Sequence, residues 1–427
     1  MLRLLLVIPT TTYRTEDFVA AAAKLDVEMV VASERAHVLQ AERPDRLLAL
    51  DFADPGAAAR AAAEFARRHP VDAVVAVDDR SAVIGAAVAG ALGLRTSPVV
   101  AVAATRNKHR MREAFARAGV RSPAFTLLTR ADDPDAWAER VPYPCVLKPT
   151  VLSGSRGVIR ADDRAGFVEA FRRIAGILRA PDVAELGEGT EQILVEEFVP
   201  GPEVALEGLL VAGELHVLAL FDKPDPLDGP FFEETIYVTP SRLAGAVQAD
   251  IAAEARWAAR ALGLTEGPVH AELRINERGP WVVELAARTI GGLCSRTLRF
   301  GTGITLEELV LRHALGIELA SLEREPRPAG VMMLPIPRRG VLRAVRGRAE
   351  ALAVPGIEEI TITAHLGQEL VPLPEGGRYL GFAFARGDTP AAVEAALREA
   401  HRRLAFDVAP VEGAGRPGGV PAAQACG

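Results

Sequence analysis

Two acidic residues and an arginine occur in the chain at a spacing that suits magnesium and phosphate chemistry. Glu272 and Glu284 lie in apolar stretches joined by a short turn, which predicts two neighbouring strands. A lone carboxylate in an apolar strand is costly unless it is paired or binds a metal. Two such carboxylates can hold Mg²⁺ against triphosphate oxygens, and Arg288 follows four residues later, where a guanidinium can bind phosphate. The alternative is a structural Glu–Arg pair.

Lysine is rare in this chain, which makes each lysine informative. Only four of the 49 basic residues are lysines, namely Lys24, Lys108, Lys148 and Lys223. Lysine is retained where a compact, flexible point charge is needed, because arginine is not interchangeable with it at such sites. Chance survival is the alternative explanation.

A loop of small residues follows Lys148, which ends a predicted apolar strand. Loops of this kind let backbone N–H groups approach phosphate oxygens, while a nearby ammonium neutralises charge. The loop residues are Ser153, Gly154, Ser155 and Gly157. The loop is not a Walker A motif, because no Gly-Lys dipeptide occurs in the chain. A plain hairpin turn is the alternative.

Residues 195–204 have the pattern of a strand, a turn and a second strand. An adenine needs an apolar slot with backbone hydrogen bonds at its edge, and a ribose needs a carboxylate for its hydroxyl groups. Glu197, Phe198 and Val199 are candidates for the adenine edge, and Glu203 is the candidate for the ribose. A solvated acidic hairpin is the alternative.

Two further arginines follow the glycine pair at 291–292. Arg296 and Arg299 lie so close to these glycines that they suggest an anion pocket for a substrate carboxylate or phosphate. Solvated surface charges explain the same pattern equally well.

The elements that must position these residues follow from the hydrophobic pattern. The first hundred residues alternate strand and helix patterns, which predicts a parallel, doubly wound sheet with ligands beyond the carboxyl ends of its strands. Asp78 and Asp79 end the fourth strand and either face such a site or cap the next helix. A helix is predicted over 106–118. From residue 143 onward, short β-branched strands predict an α+β region with antiparallel pairs.

Composition narrows the class of protein. Hydrophobic residues make up 49% of the 427 residues, which is typical of a globular chain, and the net charge of −7 argues against a general nucleic-acid binder. The longest apolar stretch, 82–94, spans 13 residues and is too short to cross a membrane. Three scattered cysteines offer neither a disulfide framework nor a zinc spacing, which favours a reducing cytoplasm.

In their order along the chain, these motifs resemble the ATP-grasp superfamily. The matching positions are Lys108, Lys148 with its Ser/Gly loop, residues 196–203, Glu272, Glu284, Arg288 and the glycines at 291–292. The resemblance implies an ATP-grasp fold that mixes α/β and α+β parts. It comprises an N-terminal doubly wound parallel-sheet domain, a central ATP-grasp domain and a C-terminal β-rich extension.

The resemblance also implies domain boundaries. We expect the N-terminal α/β domain at 1–105 and the ATP-grasp domain at 106–325, with residues 145–210 as the small subdomain that covers the nucleotide. A C-terminal α+β domain would follow at 326–410, and residues 411–427 would form a disordered tail.

Each matching position acquires an expected role from this family. The nucleotide-binding positions are Lys108, Lys148, the 153–157 loop, Glu196, the 197–199 backbone and Glu203. The first three would contact the phosphates of ATP, the next two the adenine, and the last the ribose. Glu272 and Glu284 would bind one or two Mg²⁺ ions, and Arg288 would stabilise the transferred phosphoryl group.

Three segments resemble the L-amino acid ligase branch of the superfamily, namely residues 222–234, 284–288 and 373–382. This likeness implies an ADP-forming enzyme that joins a small carboxylate to an amine through an acyl phosphate, for example two L-amino acids into a dipeptide. The partners would be these small molecules, and homodimers are common among such relatives.

The same likeness assigns the side of the site that receives the amino acid. Lys223, with Glu233 and Glu234, would face the amino-acid substrate. His270 would accept a proton from the incoming amine, or it would be a half-buried strand histidine with a hydrogen bond.

One position departs from the family pattern. Ala286 stands where the family often has Asn, so one oxygen ligand for a second Mg²⁺ is missing. Two other functions stay open, the first because the C-terminal segment also resembles biotin carboxylases and the second because of Ala286. A biotin-carboxylase-like enzyme would use bicarbonate and a separate carrier protein, since the chain has no Met-Lys-Met attachment motif. A non-catalytic nucleotide-binding module is the alternative from a different class.

Overall fold

The N-terminal part of the chain folds as a parallel sheet flanked by helices. The computed structural model describes residues 1–411. Its first elements are β1 (Arg3–Val7), α1 (Thr15–Lys24), β2 (Glu28–Ser33), β3 (Leu47–Ala49), α2 (Pro55–Arg68), β4 (Ala73–Ala76) and α3 (Asp79–Ala91). The sheet order is β3-β2-β1-β4, and every pair is parallel. The predicted parallel sheet is confirmed.

Strand β1 shows why a continuous apolar run forms the centre of this sheet. Leu4 and Leu6 belong to one core cluster, whereas Leu5 and Val7 belong to another. Successive side chains of a strand point to opposite faces, so a strand covered on both faces must be apolar throughout. Next to β1, strand β4 ends shortly before Asp78 and Asp79, which places both aspartates at the carboxyl edge of the sheet.

Two helices, rather than one, connect this sheet to the rest of the chain. They are α4 (Val99–Arg106) and α5 (Lys108–Ala118). The predicted single helix over 106–118 is wrong at its start, because Asn107 has an extended backbone and its side chain accepts hydrogen bonds from two N–H groups of the next turn. This cap makes Lys108 the first residue of α5. Gly119 ends the helix in the left-handed conformation, as its position predicts.

A small antiparallel sheet follows. Its elements are β5 (Phe125–Thr129), α6 (Pro134–Ala138), β6 (Cys145–Pro149), β7 (Ile159–Ala161), α7 (Arg164–Ile177), α8 (Pro181–Ala184) and β8 (Gln192–Glu197). The strand order is β5-β8-β6-β7. Phe167, Phe171 and Ile174 of α7 pack with Leu147 of β6 in one buried cluster. This packing holds Lys148, the next residue of β6, in a fixed position.

The largest sheet begins after β8. The remaining elements are β9 (Glu203–Val211), β10 (Glu214–Asp222), β11 (Ile236–Thr239), α9 (Gly245–Leu262), β12 (Gly267–Asn276), β13 (Gly279–Ala286), α10 (Leu306–Leu315), β14 (Ala329–Leu334), β15 (Gly340–Arg346), α11 (Arg348–Leu352), β16 (Ile357–Ile362), β17 (Glu369–Leu370), β18 (Gly381–Arg386), α12 (Pro390–Arg403) and β19 (Ala405–Ala409). Eight strands form one antiparallel sheet in the order β13-β12-β9-β10-β11-β14-β18-β16.

The small sheet and the large sheet divide the residues predicted for the small subdomain. Strand β9 pairs with β10 and β12, so residues 203–210 belong to the large sheet. The small sheet instead runs from β5 to β8, because β5 pairs with β8 at its edge. The small sheet and the predicted range of 145–210 therefore overlap without coinciding, and the extent of the subdomain stays a prediction.

The strands of the C-terminal part extend the same sheet. Strand β14 pairs with β11, and β18 and β16 follow it, so the boundary proposed at residue 326 falls inside one continuous sheet. Strands β17, β15 and β19 form a separate three-stranded sheet. The predicted tail at 411–427 lies outside the described residues except for its first position. No helix within residues 1–411 is both long enough and apolar enough to cross a membrane.

Candidate functional site

The two carboxylates singled out by the sequence lie side by side on one hairpin. Strands β12 and β13 pair as predicted, and Glu272 stands directly opposite Glu284 in their ladder. Residues opposite each other in a ladder share a face of the sheet, and like charges in that position repel. Both side chains remain partly exposed, at 21% for Glu272 and 27% for Glu284. The pair therefore forms an acidic position that is open to a cation.

Two lysines partly compensate this negative charge. The Nζ atom of Lys108 lies 3.2 Å from Oε1 of Glu284 and donates a second hydrogen bond, 2.7 Å long, to the carbonyl of Leu152. The Nζ atom of Lys223 lies 3.3 Å from Oε1 of Glu272. Because the backbone N–H of Lys108 also donates to the carbonyl of Thr150, the start of α5 is tied to the glycine-rich loop.

Lys148 takes part in a buried ion-pair triad. Its Nζ atom lies 2.6 Å from Oε2 of Glu196, and Nε of Arg112 lies 2.7 Å from Oε1 of the same carboxylate. Burial acts to raise the pKa of Glu196, but Arg112 and Lys148 together hold it below its ordinary value. Each oxygen of Glu196 thus has its own cation, so this side chain holds Lys148 in place, and its contact with adenine stays a prediction.

Acid should weaken this triad. A carboxyl with a lowered pKa stabilises the fold above its ordinary value of 4.5, and that stabilisation is lost as pH falls through the lower folded value. At pH 7, Glu196→Gln should reduce the free energy of unfolding by about 3–5 kcal/mol, because it leaves two buried cations unpaired. Urea unfolding at pH 7 and at acidic pH measures both effects, and the difference between variant and wild type should shrink in acid.

A matched control exists just before the same strand. Glu191 pairs with Arg130, but its side chain is 65% exposed. Glu191→Gln should cost at most about 1 kcal/mol, as is typical of exposed ion pairs. Equal losses in the two variants would show that the triad contributes nothing specific to the stability of the fold.

Lys223 is the centre of a second cluster. Its Nζ atom lies 2.7 Å from Oε1 of Glu203, 2.5 Å from Oε1 of Glu234 and 3.3 Å from Oε1 of Glu272. The three acids offer oxygens within 4.8 Å of one another, a spacing that also suits a metal ion. Burial opposes the charge of Lys223, but the three carboxylates raise its pKa well above the ordinary value. An ammonium therefore occupies the centre of this acidic cluster.

Two residues of this cluster carry predicted binding roles, and both are ion-paired in this structure. Glu203 faces Lys223 and Arg274, whose Nε lies 3.9 Å from its Oε2, so its carboxylate is occupied by cations in this structure. Lys223 itself is 3% exposed and its ammonium is held by three carboxylates, so its role on the amino-acid side of the site stays a prediction. Burial, opposed by Lys223 and assisted by Glu272, raises the pKa of Glu234 to about 7.

His270 lies between two carboxylates. Its Nδ1 atom is 3.3 Å from Oε2 of Glu207, and its Nε2 atom is 3.6 Å from Oε1 of Glu272. Burial acts to lower the pKa of His270, but its hydrogen bonds to these two carboxylates raise it. Both ring nitrogens face acids, which supports the interpretation of a hydrogen-bonded strand histidine.

Arg288 is held by the N-terminal sheet. Its Nε atom lies 2.9 Å from Oδ1 of Asp79, the first residue of α3. Asp78 caps the same helix through hydrogen bonds from the N–H groups of Arg80 and Ser81. Burial acts to raise the pKa of Asp79, but the stronger effect of the nearby Arg288 guanidinium, with Arg106, holds this pKa below its ordinary value. The two aspartates thus divide the two roles that the sequence left open.

The glycine-rich loop lies against the C-terminal part of the chain. Gly154, Ser155 and Gly157 have φ values of +63°, +54° and +75°. A Cβ atom on Gly157 would lie 2.8 Å from Cγ of Pro149, so this position requires glycine. The N–H of Gly157 donates to the carbonyl of Pro374, with an N–O distance of 2.9 Å.

A second set of contacts closes over the same loop. Nε of Arg156 donates to the carbonyl of Glu375, with a distance of 2.8 Å. The carboxylate of Glu375 accepts two bonds from Arg173 on α7. One residue of the C-terminal loop is thus bonded both to the glycine-rich loop and to the helix that supports the small sheet.

Three models of known domain families match successive parts of the chain. The ATP-grasp N-terminal domain matches residues 19–96, the ATP-grasp domain matches residues 141–297, and the L-amino acid ligase C-terminal domain 2 matches residues 332–409. The chain is a member of the ATP-grasp superfamily.

Curated relatives and a solved structure share parts of this ATP-grasp architecture. Alanine--anticapsin ligase of Bacillus subtilis (strain 168) is 30% identical over 52% of this chain and 49% of that protein. Dapdiamide A synthase of Enterobacter agglomerans is 32% identical over 44% of each. The chain thus spans about half the length of these curated relatives. The crystal structure of L-amino acid ligase from Bacillus licheniformis matches with a TM-score of 0.76 and 28% identity, over 95% of this chain and 98% of that one.

The backbone N–H groups of the predicted adenine edge at 197–199 differ in whether they already have partners. The N–H groups of Glu197 and Phe198 already donate to the carbonyls of Ala124 and Pro144. Within residues 1–411, the N–H of Val199 has no hydrogen-bond partner. The ring of Phe198 is covered by the guanidinium groups of Arg160 and Arg274, at 4.1 and 4.9 Å from its centroid. Val199 is therefore the open donor of this segment.

The arginines that follow the glycine pair lie elsewhere in the ATP-grasp chain. Arg296 bonds to Asp17 of α1 and to Glu359 of β16, at 3.1 and 2.9 Å. Arg299 donates to the backbone carbonyls of Arg296 and Leu298. Both line a cavity of about 300 Å³ between these elements. Neither lies within ion-pair distance of the acids of the β12–β13 hairpin, and their role in an anion pocket stays a prediction.

Two buried residues of these clusters were not singled out by the sequence interpretation. They are Arg112 and Glu207, and both are fully buried. One signal was available for Arg112, since it follows Lys108 by four residues and so shares a helix face with it. Glu207 offered the signal of a carboxylate inside an apolar strand, the same signal that drew attention to Glu284.

Proposed function

We propose that this chain is an ATP- and Mg²⁺-dependent carboxylate–amine ligase that joins L-amino acids, or a related small acid and amine, with release of ADP and phosphate. The observation that supports this most directly is the facing pair Glu272 and Glu284, with Lys108 at 3.2 Å from the second acid. The match of the C-terminal part to the L-amino acid ligase domain supports the choice of substrates.

The hairpin acids suit Mg²⁺ by their chemistry. Mg²⁺ prefers one or two carboxylates, with phosphate and water oxygens completing its coordination. Glu272 and Glu284 would hold it, and when bound it would neutralise charge on the triphosphate. The side chain of Ala286 has no oxygen atom and is buried opposite His270, so the side chains of the hairpin offer two carboxylates to a metal ion.

The reaction would proceed in two displacements. A carboxylate oxygen of the acid attacks the γ-phosphorus, and the bond from phosphorus to the bridging oxygen of ADP breaks. The amine nitrogen then attacks the acyl carbon, the C–N bond forms, the acyl C–O bond breaks, and phosphate leaves while the amine loses a proton. Catalysis of this kind consists mainly of positioning and charge neutralisation.

The side chains of the chain supply that positioning. Lys148, held by Glu196, and Lys108 would neutralise phosphate oxygens. Arg288, held by Asp79, would stabilise the acyl phosphate through its planar pair of N–H donors. Glu233 is half-buried, burial raises its pKa, and it has no ion-pair partner within residues 1–411, so we assign it to the ammonium of the amino-acid substrate.

A product assay tests the proposed function. The purified chain is incubated with ATP, Mg²⁺ and pools of amino acids, and ADP, phosphate and new amide masses are measured. We expect phosphate release that requires a pair of amino acids and equals the amide formed. Release with bicarbonate and biotin would indicate the carboxylase instead, and no release with any pool would indicate a nucleotide-binding module.

Asp79→Asn should lower kcat by about 10- to 100-fold, because small displacements of a positioned group cost factors of that size. The variant removes the charge that holds Arg288 at 2.9 Å but keeps the shape of the side chain. Turnover per folded molecule is the measurement. Asp78→Asn is the control, since Asn caps helices as well as Asp does. Equal turnover in both variants would reject the positioning role of Asp79.

A further inference from the structure

Glu207 is a carboxylate in the middle of the large sheet. It lies on β9, directly opposite His270 of β12, and none of its surface is exposed. Within residues 1–411, His270 is the one basic side chain within ion-pair distance, at 3.3 Å. Its atom Oε1 has no hydrogen-bond partner among the same residues. An apolar side chain would be cheaper at such a position.

The other oxygen of Glu207 makes two bonds that lead in different directions. Oε2 accepts from Nδ1 of His270, whose Nε2 lies 3.6 Å from Oε1 of Glu272. The same Oε2 accepts from the backbone N–H of Ile290, at 3.0 Å. Ile290 follows Arg288 by two residues. One oxygen is therefore bonded both to the residue beside Glu272 and to the segment that carries Arg288.

We propose that Glu207 is a positioning residue that sets the placement of Glu272 relative to Arg288 by holding His270 and the Ile290 N–H at once. The proposal rests on the proposed function, in which the first of these groups holds the cation and the second stabilises the acyl phosphate. It explains why a carboxylate is kept at a buried position where two separate segments need a shared acceptor. Loss of a group that orients a metal ligand typically changes affinity or activity by about 10- to 100-fold.

Three variants of the full chain test this proposal. Glu207→Leu removes both bonds, and we expect kcat to fall about 10- to 100-fold while the KM for ATP changes less than about threefold. Glu207→Gln keeps one acceptor oxygen, and its kcat should lie between the kcat of the leucine variant and that of the wild type. Leu209→Ala is the packing control. Leu209 is a buried core residue two positions from Glu207 on the same strand, so its truncation disturbs the packing of β9 without removing either bond of Glu207.

The control separates positioning from general stability. Leu209→Ala should lower the urea midpoint but leave turnover per folded molecule unchanged. The Mg²⁺ concentration for half-maximal activity should rise in both Glu207 variants and stay constant in the control. Equal losses in Glu207→Leu and Leu209→Ala, or wild-type kcat in Glu207→Leu, would overturn the proposal. If the leucine variant does not fold, the same comparison is made with Glu207→Gln.

A binding measurement keeps this test apart from the proposed function. If the wild-type chain releases no phosphate with any amino-acid pair, the ligase assignment fails. Binding of a non-hydrolysable ATP analogue as a function of Mg²⁺ concentration then still tests Glu207. A higher Mg²⁺ requirement in Glu207→Leu, absent in Leu209→Ala, supports the positioning role, and identical requirements contradict it.

Discussion

A Glu284→Gln variant is expected to lose amino-acid-dependent ATP turnover by about 100- to 1000-fold, while unfolding at nearly the urea concentration of the wild-type chain. Glu284 faces Glu272 across the ladder and is 27% exposed, so the neutral amide removes charge from the cation position without leaving a cavity. The loss of one charged group that acts in the transition state typically has an effect of this size. Steady-state phosphate release and urea unfolding give the two numbers.

The same hairpin provides the matched control for this variant. Glu277 lies exposed in the turn between β12 and β13, so Glu277→Gln makes the identical chemical change away from the acid pair. We expect wild-type turnover and stability for the control. Normal turnover in Glu284→Gln would contradict the assignment of the hairpin acids to Mg²⁺.

Lys148→Ala should weaken the binding of a non-hydrolysable ATP analogue by about 10- to 100-fold, which corresponds to the roughly 1.5–3 kcal/mol of a hydrogen bond to a charged group. The side chain is 7% exposed and is held at 2.6 Å from Oε2 of Glu196, so its ammonium is pre-positioned before ATP arrives. Isothermal titration calorimetry on the folded fraction measures the affinity.

Lys24→Ala is the control for the loss of a lysine. Lys24 ends α1 in the N-terminal part of the chain, and its side chain is 56% exposed. Its Nζ atom lies 3.8 Å from Oε2 of Glu308 on α10. Its loss should leave nucleotide affinity unchanged. If Lys148→Ala binds the analogue as tightly as the control does, Lys148 has no phosphate role, and the triad with Glu196 and Arg112 is purely structural.

Local patterns were sufficient to predict the hairpin that carries the acids. Alternating apolar residues and the turn at 276–279 specify two adjacent strands, and the register next to the turn follows from it. That register alone would place Glu272 opposite Val283, and a β-bulge between Glu272 and Leu273 shifts the pairing so that Glu272 faces Glu284. The parallel N-terminal sheet was predictable for the same reason, because its strands are continuous apolar runs that alternate with helices.

Contacts between distant segments were not predictable from one sequence. Asp79 meets Arg288 because α3 and the end of β13 come together in the folded chain, and nothing in either segment specifies the other. The same reason applies to Arg296. Its partners Asp17 and Glu359 come from distant parts of the chain, so its ion pairs were not predictable from its proximity to the glycine pair.

The bond between Arg156 and the carbonyl of Glu375 joins residues 219 positions apart. A chimera that exchanges the C-terminal part with that of a relative would therefore replace the residues that bond to the glycine-rich loop, Pro374 and Glu375, and retain the loop itself. Recombination of such chains for new specificities must therefore transfer the 153–157 and 373–377 segments together. The first segment lies in the region that matches the ATP-grasp domain, and the second in the region that matches the L-amino acid ligase C-terminal domain 2.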